Sequence, residues 1–111
     1  MKAALQDGYI VFYCPGCKTL HTVPVEHRNL KQPLWQFNGD LAKPTLSPSV
    51  LVTSLQGKAY EQARCHSFVR DGHIEFLSDC THALAGQTVE LPELTAANYI
   101  DPAAGKGDPT P

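Results

Sequence analysis

The sequence predicts a mostly-β protein, a small zinc-ribbon-like assembly of β-hairpins with at most one or two short helices. Three observations carry that prediction. Cys14-Pro15-Gly16-Cys17 sets two thiols on one tight turn. Further on, Cys65 to Arg70 and His73 to Leu77 are β-rich runs flanking Asp71-Gly72, the pair a type I′ hairpin turn favours because both central residues take positive φ. No stretch between or beyond them keeps a 3.6-residue apolar period long enough to argue a helix.

The elements follow in order. Tyr9 to Tyr13 is a β-branched and aromatic run bounded by Gly8 and the cysteine turn, and it reads as a strand. Leu20 to Val25 reads as its return, with Pro24 marking an edge. Glu26 to Pro33 is polar, with room for one short helical turn. Leu34 to Phe37 is a third strand, stopped by the turn dipeptide Asn38-Gly39. Lys43 to Ser49 reads as an ordered loop because Pro44 and Pro48 fix φ and remove donors. Val50 to Thr53 is a strand, Gln56 to Ala63 a loop or short helix, and Gly86 to Leu91 a last short strand. Residues 1–94 are expected to form one metal-stapled β-rich domain. Residues 95–111, rich in Ala, Gly and Pro, are expected to be a flexible tail.

At 111 residues there is room for one modest core, and a chain of this size gains from a staple. Net charge is -2 and no Lys/Arg block occurs, which argues against nucleic acid as a partner. No apolar run is long enough to span a bilayer, and Met1 to Gly8 lacks the apolar centre of a signal peptide. The expected compartment is the cytoplasm, where thiols stay reduced and four cysteines read better as ligands than as two disulfides.

Zinc takes four ligands in a tetrahedron, and a Cys-x-x-Cys turn supplies two. The hairpin suggests the others. If Asp71-Gly72 is a two-residue loop, Arg70 pairs with His73, Ser67 with Phe76, Cys65 with Ser78, and Ala63 with Cys80. Alternation then puts Cys65, Val69, Ile74, Phe76 and Cys80 on one face, with His82 continuing that parity. Arg64, His66, Phe68, Arg70, His73, Glu75 and Asp79 take the other. The leading Zn2+ site is Cys14, Cys17, Cys65 and Cys80. His82 is the main rival for the fourth position, with His21 and His66 behind it. Competing readings are buried core cysteines, a redox pair at Cys14 and Cys17, and disulfides in an exported protein.

A second polar cluster joins Trp35, Asn38, Asp40, Thr45, Ser47 and Ser49 to His66, Asp79, Thr81 and His82. His66 and Asp79 share a hairpin face, where a carboxylate can orient an imidazole. Trp35, Asn38, Asp40, His66 and Asp79 are the candidate ligand-binding residues. The plainer reading has Asn38, Asp40, Ser47 and Ser49 capping turns and Trp35 filling the core. No hydrolase elbow, phosphate loop or His-Glu-x-x-His motif occurs, and no nucleophile can be assigned to His66.

Several motifs occur together: Cys14-Pro-Gly-Cys17, Trp35-Gln-Phe-Asn-Gly-Asp40, Pro44-Thr-Leu-Ser-Pro-Ser49, Cys65-His-Ser-Phe-Val-Arg-Asp-Gly72 and Phe76 to Val89. As a set, over residues 9–92, they resemble a group of small phage and prophage proteins, some of which carry an ammonia monooxygenase label. The resemblance implies a phage-derived gene expressed inside a bacterial host. Nothing in the residues supports a monooxygenase, since no copper-type histidine cluster is present.

The sequence leaves enzymatic activity undecided and leans against it. The leading function is a phage-derived zinc-binding accessory protein that engages a host or phage protein, for instance to inhibit a host defence system. One alternative is a small-molecule or nucleotide binder. Another is a small metal-dependent hydrolase using His66, Asp79 and His82. A homodimer through the edge near Pro24 is a further expectation.

Overall fold

The computed structural model describes residues 1–26, 33–56 and 61–99, and these form two antiparallel sheets with no helix. The first sheet runs β1 (Ala3–Gln6), β2 (Tyr9–Cys14), β3 (Thr19–Pro24) in spatial order. The second runs β4 (Gln36–Phe37), β5 (Leu46–Gln56), β6 (Glu61–Arg70), β7 (His73–Phe76), β8 (Thr88–Glu90). The expected mostly-β architecture is therefore what the chain adopts.

Turn chemistry explains the hairpins. Asp71 and Gly72 take φ of 49° and 76°, and Arg70 pairs with His73, Val69 with Ile74 and Ser67 with Phe76, the register expected from the sequence. Asp7 and Gly8 do the same at φ of 52° and 83°, joining β1 to β2. That first hairpin carries the same Asp-Gly signal, but its strand Ala3–Gln6 is short and Ala-rich, and the sequence reading did not anticipate it. β3 is an edge strand, as Pro24 suggested.

One shared core joins the sheets. Ile10, Phe12, Cys14 and Val23 from the first meet Leu46, Val50, Cys65, Val69, Ile74 and Phe76 from the second. Burying a side chain such as Phe12 or Phe76 stabilises by about 1.5–3 kcal/mol. Backbone bonds fasten the N-terminus across the molecule: Lys2 and Ala3 N–H donate to Leu41 O, and Leu94 N–H donates to Met1 O.

Several expectations change. The segment Pro44 to Ser49 is not all loop, because β5 begins at Leu46 and passes through a register break between Leu46 and Val50. Gln56 and Glu61 to Ala63 are strand rather than the expected loop or short helix, while residues 57–60 lie outside the described residues. The helical turn expected within Glu26 to Pro33 falls on residues 27–32, also outside them. The β6–β7 ladder ends at Phe76, so the expected pairs Cys65–Ser78 and Ala63–Cys80 do not form. Of the expected tail, Thr95 to Tyr99 is a turn in which Tyr99 N–H donates to Thr95 O and the Tyr99 hydroxyl donates to Gln6 Oε1. Residues 100–111 lie outside the described residues.

Candidate functional site

Adjacent residues of β6 point to opposite faces, and the two faces carry different chemistry. On the core side, Cys65 meets the turn that follows β2. There Lys18 N–H donates to Cys14 O at 2.8 Å and Cys17 N–H donates to Cys14 Sγ at 3.3 Å. Cys14 Sγ and Cys65 Sγ stand 3.8 Å apart. Ligand atoms of Cys14, Cys17, Cys65 and His82 all lie within 4.8 Å of one another, close enough to hold a metal ion. Ligands of a zinc tetrahedron, with Zn–S near 2.3 Å, are separated by roughly 3.7 Å.

The donor set fits a metal on two further observations. His82 Nε2 is buried without a hydrogen-bond partner. The His82 ring also fills the space beside Gly16 that a Cβ would take. His82 Nδ1 accepts from Leu84 N–H at 3.2 Å, and a metal on either ring nitrogen would release that contact, directly or by moving the proton to Nδ1. An open cavity of about 340 Å³, lined in part by Cys17, Thr19, Arg64 and Thr81, reaches the cluster and supplies an entry path.

The thiols share their protons unequally. Cys14 is drawn down to about 4, chiefly by the hydrogen bond from Cys65 and then, against burial, by His21. Burial and the Cys14 charge push Cys17 up to about 11, and donation to Cys14 together with burial pushes Cys65 up further.

Cys80, the expected fourth ligand, is not in the cluster. Its Sγ accepts from His66 N–H and donates to His66 O, both at 3.2 Å, so it ties its segment to the β6 backbone. The hairpin ladder stops short of residue 80, and the chain turns so that His82 reaches the thiols instead. His21 is buried edge-on to Phe12 and stands outside the group of four.

The other face of β6 carries a hydrogen-bonded chain of three side chains. Ser49 Oγ lies 3.0 Å from His66 Nε2, and His66 Nδ1 lies 3.3 Å from Asp79 Oδ2. Arg64 Nη1 stands 3.9 Å from the same carboxylate oxygen. Leu51 is opposite His66, and Ser49, two residues earlier on β5, is therefore the diagonal neighbour on the same face. The register break beside Ser49 is the kind of irregularity that re-aims a side chain.

Trp35 holds that irregularity in place. Its Nε1–H reaches Pro48 O at 3.1 Å and Ser49 O at 3.3 Å. Of the other candidate ligand-binding residues, Asn38 Oδ1 accepts from Asp40 and Thr45 N–H, and Asp40 Oδ1 accepts from Ala42 and Lys43 N–H. Asn38 and Asp40 thus organise the loop, as their turn reading had it, while His66 and Asp79 come together as expected. Ser49, read from sequence as a turn residue, is the member that was missed. The signal available was the antiparallel pairing of Val50–Thr53 with the Cys65 strand, which puts Ser49 beside His66.

Asp79-Cys80-Thr81-His82 links the two sites. Asp79 faces His66, Cys80 and Thr81 bond to the β6 backbone at His66 and Arg64, and His82 joins the thiols. His82 stands with the thiols while His66 and Asp79 pair with each other, so the structure does not bring His66, Asp79 and His82 into one cluster.

A family model described as bacterial ubiquitination-like system serine protease (BubE) matches residues 1–77 of the 111. The chain belongs to the BubE family. The matched residues include Ser49, His66 and three cysteines of the cluster, with Asp79 and His82 just beyond. No curated protein and no solved structure matches the chain. Among the described residues, no helix is long and apolar enough to cross a membrane.

Proposed function

We propose that the chain is a serine hydrolase acting on peptide or isopeptide bonds, with Ser49 as nucleophile, His66 as general base and Asp79 as the group that orients His66. The hydrogen-bonded chain from Ser49 Oγ through His66 to Asp79 carries this reading. The family description, which names a serine protease, agrees with it.

The chemistry follows from the geometry. With Asp79 accepting from Nδ1–H, Nε2 is left with a lone pair facing Ser49 Oγ–H. As Oγ attacks the substrate carbonyl carbon, its proton passes to Nε2. The C–N bond then breaks, and the same proton goes to the departing amine. Water attacks the acyl ester, again losing a proton to His66, which passes it to Ser49 Oγ as the acid departs, regenerating the free hydroxyl. Asp79 stabilises the imidazolium in both halves.

Cys14, Cys17, Cys65 and His82 would hold Zn2+, whose contribution is structural: four protein ligands leave no open position for a substrate. Such a thiolate site persists in a reducing cytoplasm, the compartment proposed for the protein in its bacterial host. The proposed partner is a protein of a ubiquitination-like system that supplies the scissile bond.

The test is labelling with a fluorophosphonate, followed by peptide mass spectrometry. Modification at Ser49 that Ser49→Ala and His66→Ala abolish is expected. A protein that stays folded yet unlabelled refutes the assignment. It would favour instead a zinc-stapled, phage-derived binding module directed at a host protein, a reading that uses the metal site but gives the Ser49–His66–Asp79 chain no task.

A further inference from the structure

β5 is eleven residues long, yet β4 covers only two of its positions, through Gln36–Ser47 and Phe37–Leu46. Among the described residues, no strand pairs with the same side of β5 beyond Ser47. The open stretch starts beside Ser49.

Hydrogen-bond parity fixes which backbone groups it offers. Leu77 N–H donates to His66 O and Thr81 N–H donates to Arg64 O, so His66 and Arg64 direct their backbones away from β5. Cys65 and Ser67 must therefore direct theirs toward it, into their partners Val52 and Val50. By alternation, the N–H and C=O of Leu51 and Thr53 point to the open side. Ser49 O follows the same parity, since it accepts from the Trp35 indole there.

Natural edges are normally blunted. β3 ends in Pro24, β1 is four residues long and tied to Leu41, and β8 is three residues long with Glu90 paired to Lys2. The β5 edge has none of these devices: Leu51-Val52-Thr53-Ser54 carries no charge and no proline, and Leu51 is 56% exposed.

We infer that this edge is the substrate-binding surface: an extended peptide segment of the protein substrate adds to the sheet as a strand alongside Leu51 and Thr53, and its carbonyl is thereby delivered to Ser49. The inference rests on Ser49 being the nucleophile. Backbone bonds hold an added strand whatever its side chains. Strand rise puts the Leu51 position about 7 Å from Ser49, so two substrate residues span from the first edge contact to the reacting carbonyl. An extended, unstructured tail meets this requirement, and a folded surface does not.

The probes are diphenyl phosphonate esters of Ala, Ala-Ala and Ala-Ala-Ala, and the tripeptide ester N-methylated at its internal amides. Ser49 Oγ attacks phosphorus and expels phenoxide while His66 takes the proton, so the rate of inactivation reports recognition. The rate is expected to rise at least tenfold from one residue to three, and N-methylation is expected to remove the gain. Inactivation insensitive to both length and N-methylation, in protein whose Ser49 still takes the fluorophosphonate, overturns the edge proposal alone. So does a homodimer that protects Leu51 and Thr53 amides from hydrogen exchange. Absence of any fluorophosphonate labelling overturns the nucleophile and this proposal with it.

Discussion

Replacing Gly16 with alanine tests whether the Cys14, Cys17, Cys65 and His82 cluster holds a metal through His82. A Cβ at Gly16 would stand 2.3 Å from His82 Cε1, 2.4 Å from Nε2 and 2.6 Å from Nδ1. Ordinary contact begins near 3.4 Å, so the ring must withdraw by about 1 Å. It has little room to do so, because Phe76 packs edge-on against it with centroids 4.5 Å apart. Metal–ligand distances are held to within about 0.2 Å, so a displacement of that size removes His82 from the coordination sphere. Disturbing only the orientation of a ligand typically costs 10–100-fold in affinity. Gly16→Ala should weaken zinc by at least that, about 1.4–2.7 kcal/mol. Titration against a chromophoric chelator, with zinc per chain measured by plasma mass spectrometry, reads the change. Wild-type affinity in this variant would mean that His82 is not a ligand, and the site would have to be redrawn around the three thiols.

Three further outcomes are expected. Cys65→Ser should lose zinc and Cys80→Ser should keep it, since Cys80 bonds to the His66 backbone and stands outside the cluster; loss of zinc in both variants on metal analysis would restore the all-cysteine site. Asp79→Asn should lower the rate of peptide cleavage by roughly 10³–10⁴-fold with little change in zinc content, because the carboxylate orients His66 and touches no metal ligand in the cluster; a loss under tenfold would leave Asp79 a surface ion-pair residue. Metal binding near pH 7 should release protons from Cys17 and Cys65, both pushed upward in the metal-free protein, and none from Cys14, held near 4. Affinity should therefore rise with pH, by about two decades per unit, and calorimetry in buffers of different ionisation enthalpy would expose a binding step with no proton release.

Most of what was legible in the residues depends on short spacings, although the Asp7-Gly8 hairpin and the end of the β6–β7 ladder escaped them. Asp71-Gly72 fixed the β6–β7 register, and with it the separation of Cys65 from His66 onto opposite faces. Cys14 and Cys17 were legible as half a metal site because a two-residue spacer converges two thiols whatever surrounds them. Asp79 could be paired with His66 because both belong to one hairpin region. Tertiary structure decided the rest. Cys80 and His82 differ by two residues and share strand parity, so only the place where the ladder stops, after Phe76, could choose between them. Ser49 reaches His66 across a pairing of strands separated by a connection that local patterning does not fix, with a register break beside the serine itself. A two-residue period says which face a side chain takes once a strand is paired, but not which strand becomes its neighbour. That is why half of the Cys14, Cys17, Cys65 and His82 cluster was visible in the sequence, and the place of Ser49 beside His66 was not.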